Sequence, residues 1–294
     1  MADFLQQVVA GVASGGVYGS LALALVLIHR ATGVINFAQG EMATFSTFIL
    51  WTLTANHGWS YWPAFAFTLL ASFVGGAAIH QGVIRPVERG SVLRVVIVTI
   101  GLLLLLNGAM TWIWSGEVRS VESPFPTRTI DVGGVTISWQ DLGTIAVSLG
   151  TVLVLWLFFR FTKVGLAMRA AAVNPAEARL VGVRVTGMLA LGWGLAAVLG
   201  AVSGALAAPS IFLDPGMMQP ILIYAFAAAV LGGIESPAGA VVGGIALGVM
   251  LNLTGAYIDF VGADLRLPVA LLVILVVLLV RPAGLFGHRV VRKV

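Results

Sequence analysis

From Val95 to Trp114 the chain carries no charged side chain, and eight further stretches of the same predominantly apolar character recur along its 294 residues. A helix needs about twenty such residues to cross the hydrocarbon layer of a bilayer. Within that layer water cannot satisfy backbone N–H and C=O groups, so a spanning segment must bond to itself, as a helix does. The expected fold is an all-α polytopic membrane protein, read as one transmembrane domain over residues 1–294 with some helices discontinuous. Spans are predicted near Phe4–Ile28, Ile35–Ala55, Trp62–Ile84, Val92–Trp114, Leu142–Phe161, Met188–Pro209, Gln219–Ile234, Ala238–Tyr257 and Leu265–Val280, a count of nine within a range of about eight to ten. Composition agrees, with 59% hydrophobic residues, 10% charged and a mean hydropathy of +1.03. Soluble domains are roughly a quarter charged.

The loops assign sidedness. Basic residues are retained on the cytoplasmic side of a membrane. If the outer end of the first span is the N-terminal one, thirteen of the sixteen basic side chains share one side. These are Arg30; Arg85, Arg89 and Arg94; Arg160, Lys163, Arg169, Arg179 and Arg184; and Arg281, Arg289, Arg292 and Lys293. Only Arg119, Arg128 and Arg266 fall opposite. The expected orientation is an outside N-terminus and a cytoplasmic C-terminus, with Ala171 inside and Gly133 outside. Met1-Ala2-Asp3 lacks the basic region of a cleaved signal, so Phe4 onward is read as a retained span. The net charge of +4 is dispersed between apolar runs rather than gathered on a face, which excludes a nucleic-acid surface.

Five stretches stand out from this background. The loop 162–186 holds Thr162 to Arg184, where Asn174 and Glu177 sit at capping-box spacing around Pro175. Gly182 supplies a stop, so a helix of about two turns is expected, too short to span and placed to be touched by another subunit. The first span carries Gly11, Ser14, Gly15, Gly16 and Gly19, a small-residue face suited to close helix packing, with Tyr18 the exception as a mid-span hydroxyl. Asn36, Gln39 and Glu41 open the second span; either the carboxylate faces a cavity or partner, or the segment is an interfacial turn. The extracytoplasmic loop 115–141 alternates around Gly133-Gly134 like a small hairpin and carries Glu117, Glu122, Asp131 and Asp141 against Arg119 and Arg128. Finally, Gly232, Gly233, Gly239, Gly243 and Gly244 punctuate the junction of two spans, the signature of a hinge or broken helix. No internal repeat is visible in the residues.

Absences narrow the function. Neither Lys163 nor Lys293 follows a glycine, so no GxxxxGK[ST] loop is present to cradle nucleotide phosphates. His29, His57, His80 and His288 are isolated, and none has a neighbour at metal-ligand spacing; His80 reads as a packed or interfacial histidine. With no cysteine there is no thiol nucleophile, thiolate metal site or disulfide frame. Scarce mid-span charges weigh against a proton- or sodium-coupled carrier.

Four motifs, GVINFAQGEM at Gly33–Met42, GLAMRAAAVNPAEARLVGV at Gly165–Val183, AVLGGIESPAGAVVGG at Ala229–Gly244 and RPAGLFG at Arg281–Gly287, resemble in order the permease subunits of branched-chain amino acid ABC importers. The resemblance is to the subunit of the high-affinity leucine/isoleucine/valine system that carries an NFAHGE-type motif, with Gln39 here in place of the histidine. It implies a multi-pass protein of the bacterial inner membrane that imports branched-chain or related hydrophobic amino acids and is not itself an enzyme. The implied partners are a second, LivM-like permease, two cytoplasmic ATPases that bind the ATP and Mg, and an extracytoplasmic substrate-binding protein. No cofactor or metal is implied in this chain. Coupling to the ATPases would fall on Gly165, Arg169, Asn174, Pro175, Glu177, Arg179 and Gly182, and the pathway on Tyr18, Asn36, Gln39 and Glu41. Relatives moving urea, short amides or aromatic carboxylates, and a stand-alone channel or secondary carrier, are the alternatives; an intramembrane enzyme would need a clustered acid, base or nucleophile.

Overall fold

A computed structural model describes residues 1–88, 90–258, 260, 262 and 265–287; Arg89, Arg289, Arg292 and Lys293, which entered the charge argument, and His288, one of the isolated histidines, lie outside them. The regular secondary structure of the described residues is helical apart from one hairpin. Its helices are α1 (Ala2–Thr32), α2 (Gln39–Trp51), α3 (Tyr61–Ile79), α4 (Val92–Trp114), α5 (Trp139–Phe161), α6 (Lys163–Val173), α7 (Pro175–Leu180), α8 (Val185–Ile211), α9 (Met218–Gly232), α10 (Pro237–Tyr257) and α11 (Arg266–Val280). One π-helical turn extends α2 through Thr52–Asn56 and another extends α3 through His80–Ile84. Strands β1 (Thr129–Val132) and β2 (Val135–Ser138) pair antiparallel around Gly133 and Gly134, both at positive φ. A helix forms in each of the nine apolar stretches, yet among the described residues only six helices are long and apolar enough to cross a membrane. α2, α9 and α11 are shorter.

The loops gather at two ends of the bundle. On one, the hairpin face, Arg119 and Leu213 exchange backbone bonds, and the Trp114 indole donates to Thr52 Oγ1 at 2.8 Å. On the other, the α7 face, Arg30, Arg160, Arg169 and Pro237 line one cavity, so the ends of α1 and α5 lie beside α6 and the start of α10.

Packing is closest where side chains are smallest. Gly11, Gly15 and Gly19 of α1 lie so near α10 that a Cβ on Gly15 would stand 2.6 Å from Ile245 Cα, and one on Gly248 would stand 2.4 Å from Gly11 O. Apolar side chains gain nothing by leaving lipid tails for one another, so backbone approach over small residues is what holds such helices together. The small-residue face therefore serves packing, as the sequence suggested. α1 and α8 form the buried centre, with Trp193, Leu21 and Leu199 all but inaccessible. α4, α5 and α11 turn apolar faces outward through Leu104, Trp112, Leu153, Leu272 and Leu279. A surface of that size would drive association in water; in hydrocarbon it is simply solvated. His80 is fully buried and its Nε2 lies 3.2 Å from Glu88 Oε2, a packed histidine rather than a ligand.

Candidate functional site: two broken helices around a buried carboxylate

The second span does not begin at Ile35. Gly33 to Ala38 is non-helical, and α2 starts at Gln39, whose Nε2 donates to Ala196 O at 2.8 Å, well inside α8. α2 therefore begins partway through the bundle and runs only to the hairpin face. The backbone at this depth is held by Asn36: its Oδ1 accepts from Ala38 N at 3.1 Å and its carbonyl accepts from Gln39 N at 3.3 Å. Its amide nitrogen also donates to Gln39 Oε1. Non-helical backbone is tolerated at membrane depth only when enclosed by protein, and Val34, Asn36 and Ala38 are buried.

The same construction recurs in the opposite direction. After α8, Phe212 to Met217 turns back into the bundle along α4, where Asn107 Nδ2 donates to Pro215 O at 3.0 Å. Asp214 Oδ1 accepts from Gly216 N at 2.7 Å and its carbonyl accepts from Met217 N at 3.2 Å, the bonding pattern of Asn36 repeated. Phe212 makes the inward turn at φ 64 and ψ 165, a conformation seldom adopted by residues other than glycine. α9 then runs to the α7 face. Thus α1 to α4 and α8 to α11 are two four-helix halves of inverted topology, each a long helix, a non-helical segment, a short helix and two more. This repeat was invisible in the residues because only turn chemistry and helix length are shared.

Glu41 and Gln219 hold equivalent places in the two halves, five residues beyond Asn36 and Asp214, and they meet: Gln219 Nε2 lies 3.5 Å from Glu41 Oε1. Glu41 is 1% exposed and its Oε2 has no partner among the described residues. Both half-helices present their N-terminal, partially positive ends here, which offsets part of the cost of burying a carboxylate. Glu41 is thus enclosed by protein rather than solvated at an interface.

Beside the start of α9, on the hairpin side, lies a cavity of about 470 Å³ lined by Tyr18, Asp214, Met217, Ile221, Tyr224 and Arg266, among others. The volume lies within the range of small-molecule sites, about 300–1,000 Å³. Tyr18 and Tyr224 rings meet at 5.0 Å. Arg266 reaches in over Gly255, where a Cβ would stand 2.9 Å from its Nε. The candidate pathway residues therefore divide: Tyr18 lines the cavity, while Asn36, Gln39 and Glu41 are buried and do not line it. Asp214, Gln219, Tyr224 and Arg266 were not anticipated; Asp214-Pro215-Gly216 is a turn signal that could have marked the second break.

The glycine-rich junction is narrower than expected. Only Gly232 and Gly233, the latter at φ 108, lie at the break between α9 and α10, where Ser236 Oγ caps α10 by accepting from Gly239 N. Gly239, Gly243 and Gly244 are inside a continuous α10, not hinges. They permit contact: a Cβ on Gly243 would meet Ala228 O at 2.3 Å, and one on Gly244 would meet Gly19 Cα at 2.3 Å. The RPAGLFG segment docks on this break through Leu285 N to Leu231 O at 2.8 Å and Phe286 N to Gly232 O at 3.0 Å.

The basic stretch holds two helices where one was expected. α6 was missed although Thr162, accepting from Gly165 N at 2.9 Å, is an ordinary cap. α7 is six residues, ending at Leu180 rather than near Gly182, which follows at φ 84. Asn174 Oδ1 accepts from Ala176 N and Glu177 N at 3.1 and 3.2 Å. Pro175, Glu177 and Arg179 are exposed on α7, whereas Gly165 is enclosed in the α5–α6 corner, where a Cβ would stand 2.4 Å from Phe158 O. Arg169 lies on α6 beside Arg30 and Arg160, away from the α7 surface.

Broken helices of inverted topology around an enclosed polar junction, within an otherwise apolar bundle, define a membrane transport subunit. The chain belongs to the family described as branched-chain amino acid transport system / permease component, whose model matches residues 7–280. It is 31% identical to the high-affinity branched-chain amino acid transport system permease protein BraD of Pseudomonas aeruginosa, over 99% of this chain and 98% of that one. It is 29% identical to LivH of Escherichia coli K12 over the same shares, and 27% identical to a probable LivH of Methanocaldococcus jannaschii over 91% and 87%. Among solved structures it resembles PsaBC from Streptococcus pneumoniae in complex with Fab, with a TM-score of 0.51 and 16% identity over 95% of this chain and 92% of that chain, a likeness of fold alone. Membership makes this a multi-pass inner-membrane permease component that works with ATPase and substrate-binding components.

Proposed function

We propose that this chain is one of two permeases in an ABC importer that moves branched-chain or related hydrophobic amino acids inward. In this reading the hairpin face lies outside and the α7 face in the cytoplasm, the placement that the distribution of basic residues supports. Substrate released by an extracytoplasmic binding protein enters the cavity above Tyr18 and Tyr224 and meets the Glu41–Gln219 junction, which closes the way inward. Two cytoplasmic ATPases, binding ATP and Mg themselves, move α7 and α6; α6 packs on α8, which carries the carbonyl that anchors the start of α2.

The observation that carries this reading is the meeting of two half-helices at Glu41 and Gln219. Such a junction can be opened by small rotations of two short elements without exposing backbone to lipid. The test is reconstitution of this chain with the second permease and the ATPases in liposomes, with binding protein added outside. ATP hydrolysis should rise with loaded binding protein, and labelled leucine, isoleucine or valine should accumulate. Uptake by the chain alone, without ATP, would overturn the importer reading in favour of a channel or carrier.

A further inference from the structure

A second cavity opens on the α7 face, lined by neither the candidate pathway residues nor α7. Its volume is about 620 Å³. α1 forms its floor through Leu23 and Leu27, with α5 and α10 as walls. Leu153, Trp156 and Val242 line it while each is about half exposed, so it opens sideways rather than being sealed within the protein. At its rim stand Arg30, Arg160 and Arg169, from the ends of α1 and α5 and the middle of α6. No carboxylate lines it, and the only ion pairs among the described residues are His80–Glu88 and Glu117–Arg119, so none of the three guanidinium groups is neutralised by a described acid.

We propose that this cleft is a binding site for one anionic phospholipid. The three arginines receive the phosphate-bearing headgroup and the apolar walls receive the upper acyl chains, whose remainder continues into the bilayer. Retention of basic residues on one side explains where arginines lie but not why three from separate elements converge on one apolar cleft. Basic pockets between membrane helices suit anionic headgroups, each Lys or Arg near the surface contributing about 1 kcal/mol. A protein segment in the cleft would have to satisfy its own backbone groups against apolar walls, and a zwitterionic lipid would bring, beside its phosphate, a cation of its own among three guanidinium groups, which a net-anionic lipid does not. The cleft joins α6 to α1, α5 and α10, so a bound lipid would tie the element preceding α7 to the bundle.

The experiment uses the full importer complex in nanodiscs, with Trp156 as reporter and the same complex carrying Trp156→Phe as the blank. Dibromo-phosphatidylglycerol and dibromo-phosphatidylcholine are compared as quenchers at equal mole fraction. Phosphatidylglycerol should quench the Trp156 signal at a mole fraction about fivefold lower or better, and Arg169→Gln should reduce that preference about fivefold, the factor equal to ~1 kcal/mol. Arg30→Gln and Arg160→Gln are tested singly as well, so the inference does not depend on a triple variant assembling. Equal quenching by the two lipids would overturn the headgroup assignment. Absence of quenching by either would show that a protein partner fills the cleft, and relief of quenching by inorganic phosphate alone would show an ion site without a lipid.

Discussion

Glu41 and Gln219 touch across the centre of the bundle from equivalent positions in halves of opposite topology. A contact on such a pseudo-symmetry axis can be exchanged between its members. Glu41→Gln should leave the melting temperature of the complex unchanged or raised, because a buried carboxylate with one unpartnered oxygen is costly. It should nonetheless lower uptake about tenfold, ~1.4 kcal/mol at the limiting step. Combining Glu41→Gln with Gln219→Glu should recover more uptake than the two single variants predict together. Additive losses in that cycle would remove the pair from the transport step.

The α1–α10 contact should be intolerant of a single methyl group. Gly248→Ala places a Cβ 2.4 Å from Gly11 O and Gly15 N, and helix backbones cannot give way as side chains can. A loss of about 1–3 kcal/mol is expected, read as a lower melting temperature of the purified complex. Gly101→Ala in α4, with nothing within 4 Å, is the control and should be neutral or stabilising. Similar effects at both sites would mean that helix propensity, not contact, governs.

The cap of α7 makes a third case. Asn174→Ala removes the acceptor of two N–H groups in a helix of six residues, and such losses cost about 0.5–2 kcal/mol. Short helices are marginal without packing, and only Ala178 of α7 is buried. The double variant Asn174→Ala, Glu177→Ala should insert normally yet hydrolyse ATP with less uptake per ATP. Unchanged stoichiometry would show that α7 does not carry the motion.

Sidedness is tested on exposed residues of this cysteine-free chain. Ala171, natural to choose from the sequence, is 1% exposed and unsuitable; Ala176 on α7 and Thr136 on β2 are exposed instead. Ala176→Cys should react with an impermeant thiol reagent only from the cytoplasm and Thr136→Cys only from outside. Reaction of both from one side would overturn the orientation.

Much of the architecture was legible because hydrocarbon thickness writes it into the sequence: every apolar stretch became a helix. What escaped was depth. Ile35 to Ala55 has the hydropathy of a complete span, and nothing in hydropathy distinguishes a helix that begins at Gln39 beside the middle of α8. Asn36 and Asp214 would have told more, since a side-chain acceptor two residues ahead of a backbone donor is local chemistry, but one is followed by Phe37-Ala38 and the other by Pro215-Gly216, and no alignment of residue types links them. The glycines misled in the opposite direction. Gly239, Gly243 and Gly244 look like Gly232 and Gly233 in sequence, and only the positions of Ala228 and Gly19 show that they make room rather than bend.

Leu285 and Phe286 give their amide protons to Leu231 and Gly232, groups made more than fifty residues earlier in synthesis. Because chains emerge from the ribosome in order, α9 and α10 must be placed in the membrane before anything can fasten the corner between them. The fastening is backbone to backbone and needs no side chain, only glycines, Gly233 and Gly284 among them, that let the two segments approach. The corner between α9 and α10 is therefore fastened only after α11 has been made, and a nascent chain halted within α11 would have every described helix of the bundle begun but that corner still unfastened.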